Sequence, residues 1–251
     1  MQIRRFYAPG LEDGDTTVSL TESESQHALR VLRLEPGDRL RLLNGRGLVA
    51  EAELLPDPNG ARHPRQALCR ILESSRQPPP SPSLTLCVAP PRGKAYDVVL
   101  KTATELGFAK IQPVLCRYGV ARPQADSPDD LMTLVAALKQ SEHPYLPQLQ
   151  APRPFAEVLA GQSGDCMKGI FGASPMAERT ARRPLDSMMA RQIGAVWVGP
   201  EGGFAPEEEK ALLDAGLFPV TIGCCTLRVE TAVPALAGYL HGRREMPEEE
   251  P

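Results

Sequence analysis

Two glycine-rich segments near the C-terminus hold the residues best suited to do chemistry in this chain. The first is the run Gly-Pro-Glu-Gly-Gly-Phe at 199–204, and the second spans 222–232. Each follows a short apolar run that predicts a buried strand, at 195–198 and 218–222 respectively. Glycines at strand ends allow positive φ angles and close approach of the backbone to a ligand, and α/β sheets bind ligands beyond the carboxyl ends of their strands. The two segments therefore predict one shared small-molecule pocket.

The charged side chains of these segments are open to two interpretations. Arg228 and Glu230 are either a catalytic pair or a structural ion pair, and the residues by themselves favour neither. Glu201 is either a ligand-binding acid or an ordinary carboxylate near a helix N-terminus, where negative charge is favourable. The glycines at 202–203 could form only a tight turn.

Composition and motifs exclude several classes of protein. The six cysteines show no Cys-x-x-Cys spacing and do not pair with the four histidines, so we expect no metal site. No run of about 18 apolar residues is present, which predicts no membrane span. The first residues lack the apolar core of a signal peptide, so we expect a cytoplasmic protein. Phosphate-binding and nucleophile-elbow motifs are missing, which disfavours a kinase, a dehydrogenase or a hydrolase. The missing phosphate-binding glycine patterns also disfavour a doubly wound nucleotide-binding enzyme.

The distribution of charge is uneven along the chain. The net charge is −3, but residues 1–200 carry 24 basic and 21 acidic side chains, whereas residues 201–251 carry 4 and 10. Of the 28 basic residues 22 are arginine, the side chain best suited to bidentate phosphate contacts. A solvated surface of a compositionally biased chain explains the same counts, and composition alone slightly favours that explanation over nucleic-acid binding.

Residues 1–76 are predicted to form a small β-rich domain. Strands are expected at 4–7, 39–43, 48–55 and 67–72, and the turn Asn-Gly-Arg-Gly at 44–47 predicts a hairpin. Thr21 and Glu24 have the spacing of a capping box, which predicts a helix through residue 32.

A proline-rich linker at 77–83 separates this domain from an α/β domain at 84–245. Consecutive prolines cannot donate ladder hydrogen bonds and favour extended polyproline II. Strands are expected at 84–89, 111–115, 169–171, 195–198 and 218–222, and helices at 97–106, 127–141, 228–240 and from 206 onward. Such alternation predicts a mainly parallel sheet. The acidic tail at 246–251 is expected to be disordered.

These motifs resemble those of SPOUT methyltransferases, and within that superfamily those of the ribosomal RNA small subunit methyltransferase E family. The matching residues are Arg4-Arg5-Phe6, His27, Val31-Leu32-Arg33 and Pro36-Gly37-Asp38, followed by Lys101, Glu105-Leu106-Gly107, the 199–204 run, Leu227-Arg228 and Glu230-Thr231-Ala232. The resemblance implies a C-terminal trefoil-knotted α/β domain with a parallel sheet and a small N-terminal PUA-like β-barrel domain. It also implies a homodimer.

The resemblance further implies S-adenosylmethionine-dependent methylation of uridine N3 in 16S ribosomal RNA, with that RNA or the small ribosomal subunit as partner. The cofactor-binding residues that it implies are Phe171, Gly172, Gly199, Glu201, Gly203, Ile222, Gly223, Leu227, Thr231 and Ala232. The candidate RNA-binding residues are Arg4, Arg5, Arg30, Arg33 and Arg117, which would contact phosphates.

Methylation of uridine N3 requires loss of the imide proton before or during attack on the sulfonium methyl group. An enzyme for this reaction must align the two reactants and stabilise the negative charge that develops on the imide oxygens. Arg228 is the candidate for charge stabilisation. Glu230 is the candidate proton acceptor, or the residue that orients Arg228.

The chain departs from the family pattern near the expected substrate side and subunit contact. It has Tyr118 where the family usually has serine, Lys139 where glutamate is usual, His143 near a usual arginine, and Cys225 where arginine is common. These differences leave open a different RNA nucleotide as the substrate, or an RNA-binding protein that keeps the fold without catalysis.

Overall fold

The computed structural model of the chain describes residues 3–60, 64–81, 83–161, 168–173 and 187–245. The chain divides into two compact units, Met1–Pro79 with Val135–Leu146, and Pro80–Leu134 with Pro147–Pro251. The domain boundaries predicted from the sequence stay a prediction, and the tail at 246–251 lies outside the described residues.

The first unit is built around a five-stranded sheet. Its strands are β1 (Arg4–Tyr7), β2 (Thr17–Ser19), β3 (Arg39–Leu43), β4 (Leu48–Leu54) and β5 (Leu68–Arg76). They lie in the order β1-β3-β4-β5-β2, with β1 parallel to β3 and the other neighbours antiparallel. Four of these strands are predicted by the sequence, whereas the three residues of β2 are too few to give a periodic signal.

Alternation along β4 builds the core of this unit. Every second residue of the strand is buried, because successive side chains point to opposite faces of a sheet. Leu48 and Leu54 pack there with Phe6, Leu20 and Leu40, all nearly or fully buried.

A short helix begins at the predicted capping residue. α1 (Glu22–Gln26) follows Thr21, whose Oγ1 accepts a hydrogen bond from the Glu24 N–H at 3.4 Å. The reciprocal bond of a capping box does not form, because the Glu24 carboxylate has other donors. The chain continues as a π-helical turn at His27–Val31, where the sequence predicts one continuous helix.

Glu24 is a buried carboxylate held by two donors, the Tyr7 N–H at 3.2 Å and Lys139 Nζ at 2.6 Å. Removing the ammonium group leaves the buried charge with one neutral donor, which is costly. We expect Lys139→Ala to lower the free energy of unfolding by about 1–3 kcal/mol, measured by urea denaturation. Lys210→Ala is the matched control, since it removes a well-exposed lysine that pairs with Asp214, and should have little effect. Equal losses in the two variants would contradict the prediction.

The second unit holds a seven-stranded sheet flanked by helices. Its strands are β6 (Thr85–Val88), β7 (Lys110–Leu115), β8 (Gln148–Leu149), β9 (Arg153–Pro154), β10 (Lys168–Gly172), β11 (Ile193–Val198) and β12 (Phe218–Val220). Its helices are α2 (Lys94–Glu105), α3 (Pro128–Ser141), α4 (Phe155–Gly161), α5 (Ser187–Gln192), α6 (Pro206–Asp214) and α7 (Val229–Glu245), and the last turns of α3 belong to the first unit. All strand pairs are parallel, in the order β12-β10-β11-β6-β7-β8, with β9 also paired to β7.

The predicted elements of this unit are present, with some ends displaced. α2 begins at Lys94, ahead of the predicted start at residue 97, and β12 ends at Val220, short of the predicted end at residue 222. The sequence does not predict β8, β9, α4 or α5, since elements of two to seven residues carry too little periodicity.

The sheet order separates strands that are consecutive in the chain. β12 lies at the edge beside β10, and the chain then returns as α7 to pack against α2, α5 and β11. The parallel α/β sheet and the separate N-terminal β unit agree with the predicted fold class. Within the described residues no helix is both long enough and apolar enough to cross a bilayer.

Candidate functional site

A cavity of about 240 Å³ lies at the carboxyl ends of three neighbouring strands, β10, β11 and β12. Its walls are Gly172 and Ala173 at the end of β10, residues 198–204 at the end of β11 and in the loop that follows, Glu209 of α6, and residues of the segment 220–236 that leads from β12 into α7. The two glycine-rich segments therefore share one pocket, as the sequence predicts.

Most of the predicted cofactor-binding residues lie in the wall of this cavity. Those that line it are Gly172, Gly199, Glu201, Gly203, Ile222, Leu227 and Ala232. Phe171, Gly223 and Thr231 do not. Phe171 is fully buried beneath the loop, with its ring centroid 6.2 Å from that of Phe204, and Thr231 donates its N–H to the Arg228 carbonyl at 3.0 Å in the first turn of α7.

The loop after β11 is shaped by two of its glycines. The Gly203 N–H donates to the Pro200 carbonyl at 2.8 Å, and Gly203 has a φ of 77°, a conformation that glycine adopts without strain. A Cβ at Gly199 would lie 3.1 Å from Phe204 Cδ2 and 3.2 Å from the Phe204 backbone nitrogen. The loop therefore folds back so tightly that a side chain at position 199 would press against Phe204.

Glu208, a residue not predicted from the sequence, anchors this loop. Its side chain is buried, with Oε2 accepting from the Ala205 N–H at 2.9 Å and Oε1 from the Arg117 N–H at 2.8 Å. These bonds tie the start of α6 to the segment after β7, and Tyr118 in that segment lies against Gly202. The available signal was a glutamate at the third helical position, which commonly bonds back to the N-cap N–H.

The charge in the cavity wall has one sign. Glu201 and Glu209 contribute carboxylates, and among the described residues no lysine, arginine or histidine lines the cavity. Leu227, Val229 and Leu236 provide an apolar side. Without a cation such a wall suits phosphate poorly, whereas it suits a ligand that carries positive charge together with an apolar ring.

Arg228 and Glu230 lie beside the cavity rather than in its wall. Arg228 Nη1 is 4.0 Å from Glu230 Oε1, an ion pair too long for a hydrogen bond, and the two side chains are 83% and 23% exposed. Glu230 also lies in the first turn of α7, where a carboxylate is favourable at the positive end of the helix. The exposed guanidinium is open to a substrate that approaches from solvent.

The predicted RNA-binding arginines of the first unit fall into two groups. Arg30 and Arg33 line a groove of about 740 Å³, together with the carboxylates Glu35 and Asp57. Arg4 and Arg5 line a separate shallow pocket, and Arg5 forms an ion pair with Glu142. In the described part of the chain, Arg4, Arg30 and Arg33 form no ion pair with a carboxylate.

Arg117 is in the second unit, next to the cavity loop. Its guanidinium pairs with Glu207 and lies 5.9 Å from the centroid of the Tyr118 ring. No cluster of three or more potential metal-ligating side chains occurs within the described ranges.

A family match, rather than the parallel sheet and the glycine-walled cavity alone, defines the protein as an RNA methyltransferase. The family model described as an RNA methyltransferase domain matches residues 78–241, and that described as an RNA methyltransferase PUA domain matches residues 20–61. Ribosomal RNA small subunit methyltransferase E of Synechocystis is 30% identical over 87% of this chain and 70% of its own length. The Mycobacterium bovis protein of that name is 29% identical over 93% of this chain and 89% of its own length. The chain belongs to the ribosomal RNA small subunit methyltransferase E family of the SPOUT superfamily.

A solved structure extends the likeness to the whole fold. The ribosomal RNA small subunit methyltransferase E of Neisseria gonorrhoeae, crystallised with S-adenosyl methionine, is 25% identical and superposes with a TM-score of 0.80 over 96% of this chain and 98% of its own. Together with the PUA match, this confirms the predicted α/β domain with a parallel sheet and the small N-terminal PUA-like domain, whereas the trefoil knot stays a prediction.

Proposed function

We propose that the chain transfers a methyl group from S-adenosylmethionine to N3 of a uridine in 16S ribosomal RNA. Its membership of an RNA methyltransferase family supports the general reaction. The observation that carries the proposal is the cavity at the ends of β10, β11 and β12, whose described wall has two carboxylates and no cation.

The residues present fit this cofactor. Its sulfonium group is positively charged, which suits a wall containing Glu201 and Glu209, and its adenine ring suits the apolar side formed by Leu227, Val229 and Leu236. When bound, the cofactor supplies an electrophilic methyl group. Phe171, Gly223 and Thr231 support the cavity from behind or beside its wall, and Gly172, Gly199, Gly203, Ile222 and Ala232 form part of it.

Arg228 stabilises the charge that develops on the uridine imide oxygens. Its guanidinium is exposed beside the cavity and no hydrogen bond to Glu230 holds it, so it is available to a bound base. Glu230 either takes up the imide proton or orients Arg228 through the ion pair between the two side chains. Both groups act on the RNA rather than on the cofactor, because neither lines the cavity.

The first unit binds the RNA backbone. Arg30 and Arg33 line the larger groove, where neither forms an ion pair with a carboxylate of the described residues, and Arg4 and Arg5 border the smaller pocket. We place this RNA-binding domain at 1–76, the linker at 77–83 and the catalytic domain at 84–245, with Arg117 as the contact from the catalytic domain. An rRNA substrate also implies a cytoplasmic protein.

The affinity for RNA is expected to depend on salt through these arginines. Each phosphate contact releases condensed counterions, so Arg30→Ala should weaken binding at low salt and reduce the slope of log K against log salt by about 1. Fluorescence anisotropy with an rRNA fragment, at several salt concentrations, measures both quantities. Arg76→Ala is the control, since Arg76 is another exposed arginine of the first unit, already paired with Asp13. Unchanged slopes in Arg30→Ala would contradict the placement of the RNA.

The family resemblance also leads us to propose a homodimer. Light scattering of the purified protein tests it directly, and a mass equal to that of a single chain of 27.2 kDa would overturn it.

The modified nucleoside itself tests the central proposal. We expect 16S rRNA from a deletion strain to lack 3-methyluridine by mass spectrometry of nucleosides, and the purified protein to restore it. A different methylated nucleoside would favour the second candidate, the same chemistry at another nucleotide, which the departures at Tyr118, Lys139 and Cys225 keep open. Failure of a folded protein to bind S-adenosylmethionine in calorimetry would favour an RNA-binding protein without catalysis.

A further inference from the structure

Two adjacent thiols stand at the rim of the cofactor cavity. Cys224 and Cys225 are both exposed, and their Sγ atoms are 3.7 Å apart. Cys225 lines the cavity and Cys224 does not. The proposed methyl transfer uses neither thiol.

The other described cysteines are poor candidates for thiol chemistry. Cys69, Cys87 and Cys116 are buried. Burial raises the pKa of Cys69 to about 12, and burial together with nearby Glu208 and Cys87 raises the pKa of Cys116 to about 12. Because the thiolate is the reactive form, Cys69 and Cys116 stay inert at neutral pH. Within the described residues, the exposed thiols are therefore concentrated in one loop.

This loop has the freedom to bring the two sulfur atoms together. A disulfide bond is about 2.05 Å long, so the 3.7 Å gap must close by well over an ångström. Gly223, immediately before the pair, has a φ of 70° and open space around it. Within the described part of the chain, residues 223–227 make no backbone hydrogen bond that would resist the change.

A bond between neighbouring residues is also easy to reverse. Consecutive Cα atoms are about 3.8 Å apart, below the usual Cα separation of about 4.4–6.8 Å across a disulfide. The resulting strain makes the bond more easily reduced than an ordinary structural disulfide. The pair therefore has the chemistry of a reversible modification rather than of a structural crosslink.

We propose that Cys224 and Cys225 are a redox modification site, which low-molecular-weight disulfides oxidise to an intramolecular disulfide, and that the oxidised loop binds the cofactor weakly. One cysteine thiolate attacks the reagent disulfide, releases one thiol and forms a mixed disulfide. The second thiolate attacks the cysteine sulfur of that mixed disulfide and releases the second thiol. The protein loses two electrons and two protons, which the two released thiols carry.

Formation of the disulfide weakens cofactor binding because the loop that holds the two cysteines forms one wall of the cofactor cavity. Ile222, Cys225, Thr226 and Leu227 all line it, and drawing Cys225 toward Cys224 must displace its neighbours. This part of the inference rests on the proposed function.

Peptide mapping tests the modification independently of the cofactor. Trypsin releases residues 211–228, which contain these two cysteines and no other. After treatment of the whole protein with oxidised glutathione and alkylation, we expect this peptide to be lighter by two hydrogen atoms than the unalkylated dithiol form, and dithiothreitol to reverse the change. A stable glutathione adduct on this peptide, or a crosslink to another peptide, would overturn the assignment.

Calorimetry with S-adenosylmethionine tests the consequence. We expect oxidation to raise the dissociation constant at least about tenfold, and reduction to restore it. Cys224→Ser, outside the cavity wall, should bind as tightly as the reduced protein and form no intramolecular bond. Equal affinity of the mapped oxidised form and the reduced form would overturn the regulatory effect. If the reduced protein itself fails to bind, the proposed function fails, while the peptide map still decides on the modification site.

Discussion

Replacing Arg228 with alanine is expected to lower the rate of methyl transfer by about 10²–10³-fold, the usual effect of removing one donor to a developing oxyanion. The dissociation constant of S-adenosylmethionine should stay within about twofold, because Arg228 does not line the cavity. Single-turnover transfer of a labelled methyl group to rRNA measures the rate, and calorimetry measures cofactor binding. A loss of cofactor affinity equal to the loss of rate would show that Arg228 supports the pocket instead.

Two further variants complete the experiment. Arg153→Ala removes another exposed arginine with a carboxylate partner, Glu157, in the same unit but away from the cavity, and should leave the rate unchanged. Glu230→Gln keeps the shape of the side chain and removes its charge. A large loss of rate that lessens at higher pH favours proton acceptance, whereas a small loss at every pH favours orientation of Arg228. Full rates in both Arg228→Ala and Glu230→Gln would refute the catalytic assignment.

Gly199→Ala is expected to raise the dissociation constant of S-adenosylmethionine at least about tenfold. The new Cβ would lie 3.2 Å from the Phe204 backbone nitrogen, which cannot swing aside as a side chain could, so the loop must open. Opening displaces Glu201 and Gly203 from the cavity wall. Overpacking of this kind also lowers the free energy of unfolding, by about 1–3 kcal/mol.

Gly169→Ala separates the two effects. A Cβ at Gly169 would lie 3.1 Å from Leu217 Cδ2 and 3.3 Å from the Ala195 carbonyl oxygen, a comparable crowding inside β10 and outside the cavity wall. We expect a similar loss of stability with unchanged cofactor affinity. Equal losses of affinity in the two variants would show that general destabilisation, and not the shape of the loop, governs binding.

Much of the secondary structure can be predicted from the sequence. β1 and β3 have the predicted ends, and α3 begins at Pro128 within one residue of the predicted start, because proline and an N-cap serine mark the first turn of a helix. The capping residue Thr21 is also found from the sequence. The sequence does not reveal that the Glu24 carboxylate bonds to Lys139 instead of completing the capping box, since Lys139 is 115 residues away.

The candidate site is likewise predictable where it depends on local sequence and unpredictable where it depends on distant contacts. The glycine runs predict a cavity at strand ends, and seven of the ten predicted cofactor residues line it. The bond from the Arg117 N–H to Glu208, which holds the cavity loop to the segment after β7, could not be predicted because the two residues are 91 positions apart in the chain.

The sequence by itself determined where most of the strands lie, where the glycine loops fall and which family the motifs resemble, because propensities and spacing act over a few neighbouring residues. Only the tertiary structure decided that β10, β11 and β12 lie side by side, so that three separate strand ends enclose one cavity. It alone also placed Arg228 outside that cavity and Cys225 within its wall. Such placement depends on contacts between distant parts of the chain, which no local pattern encodes.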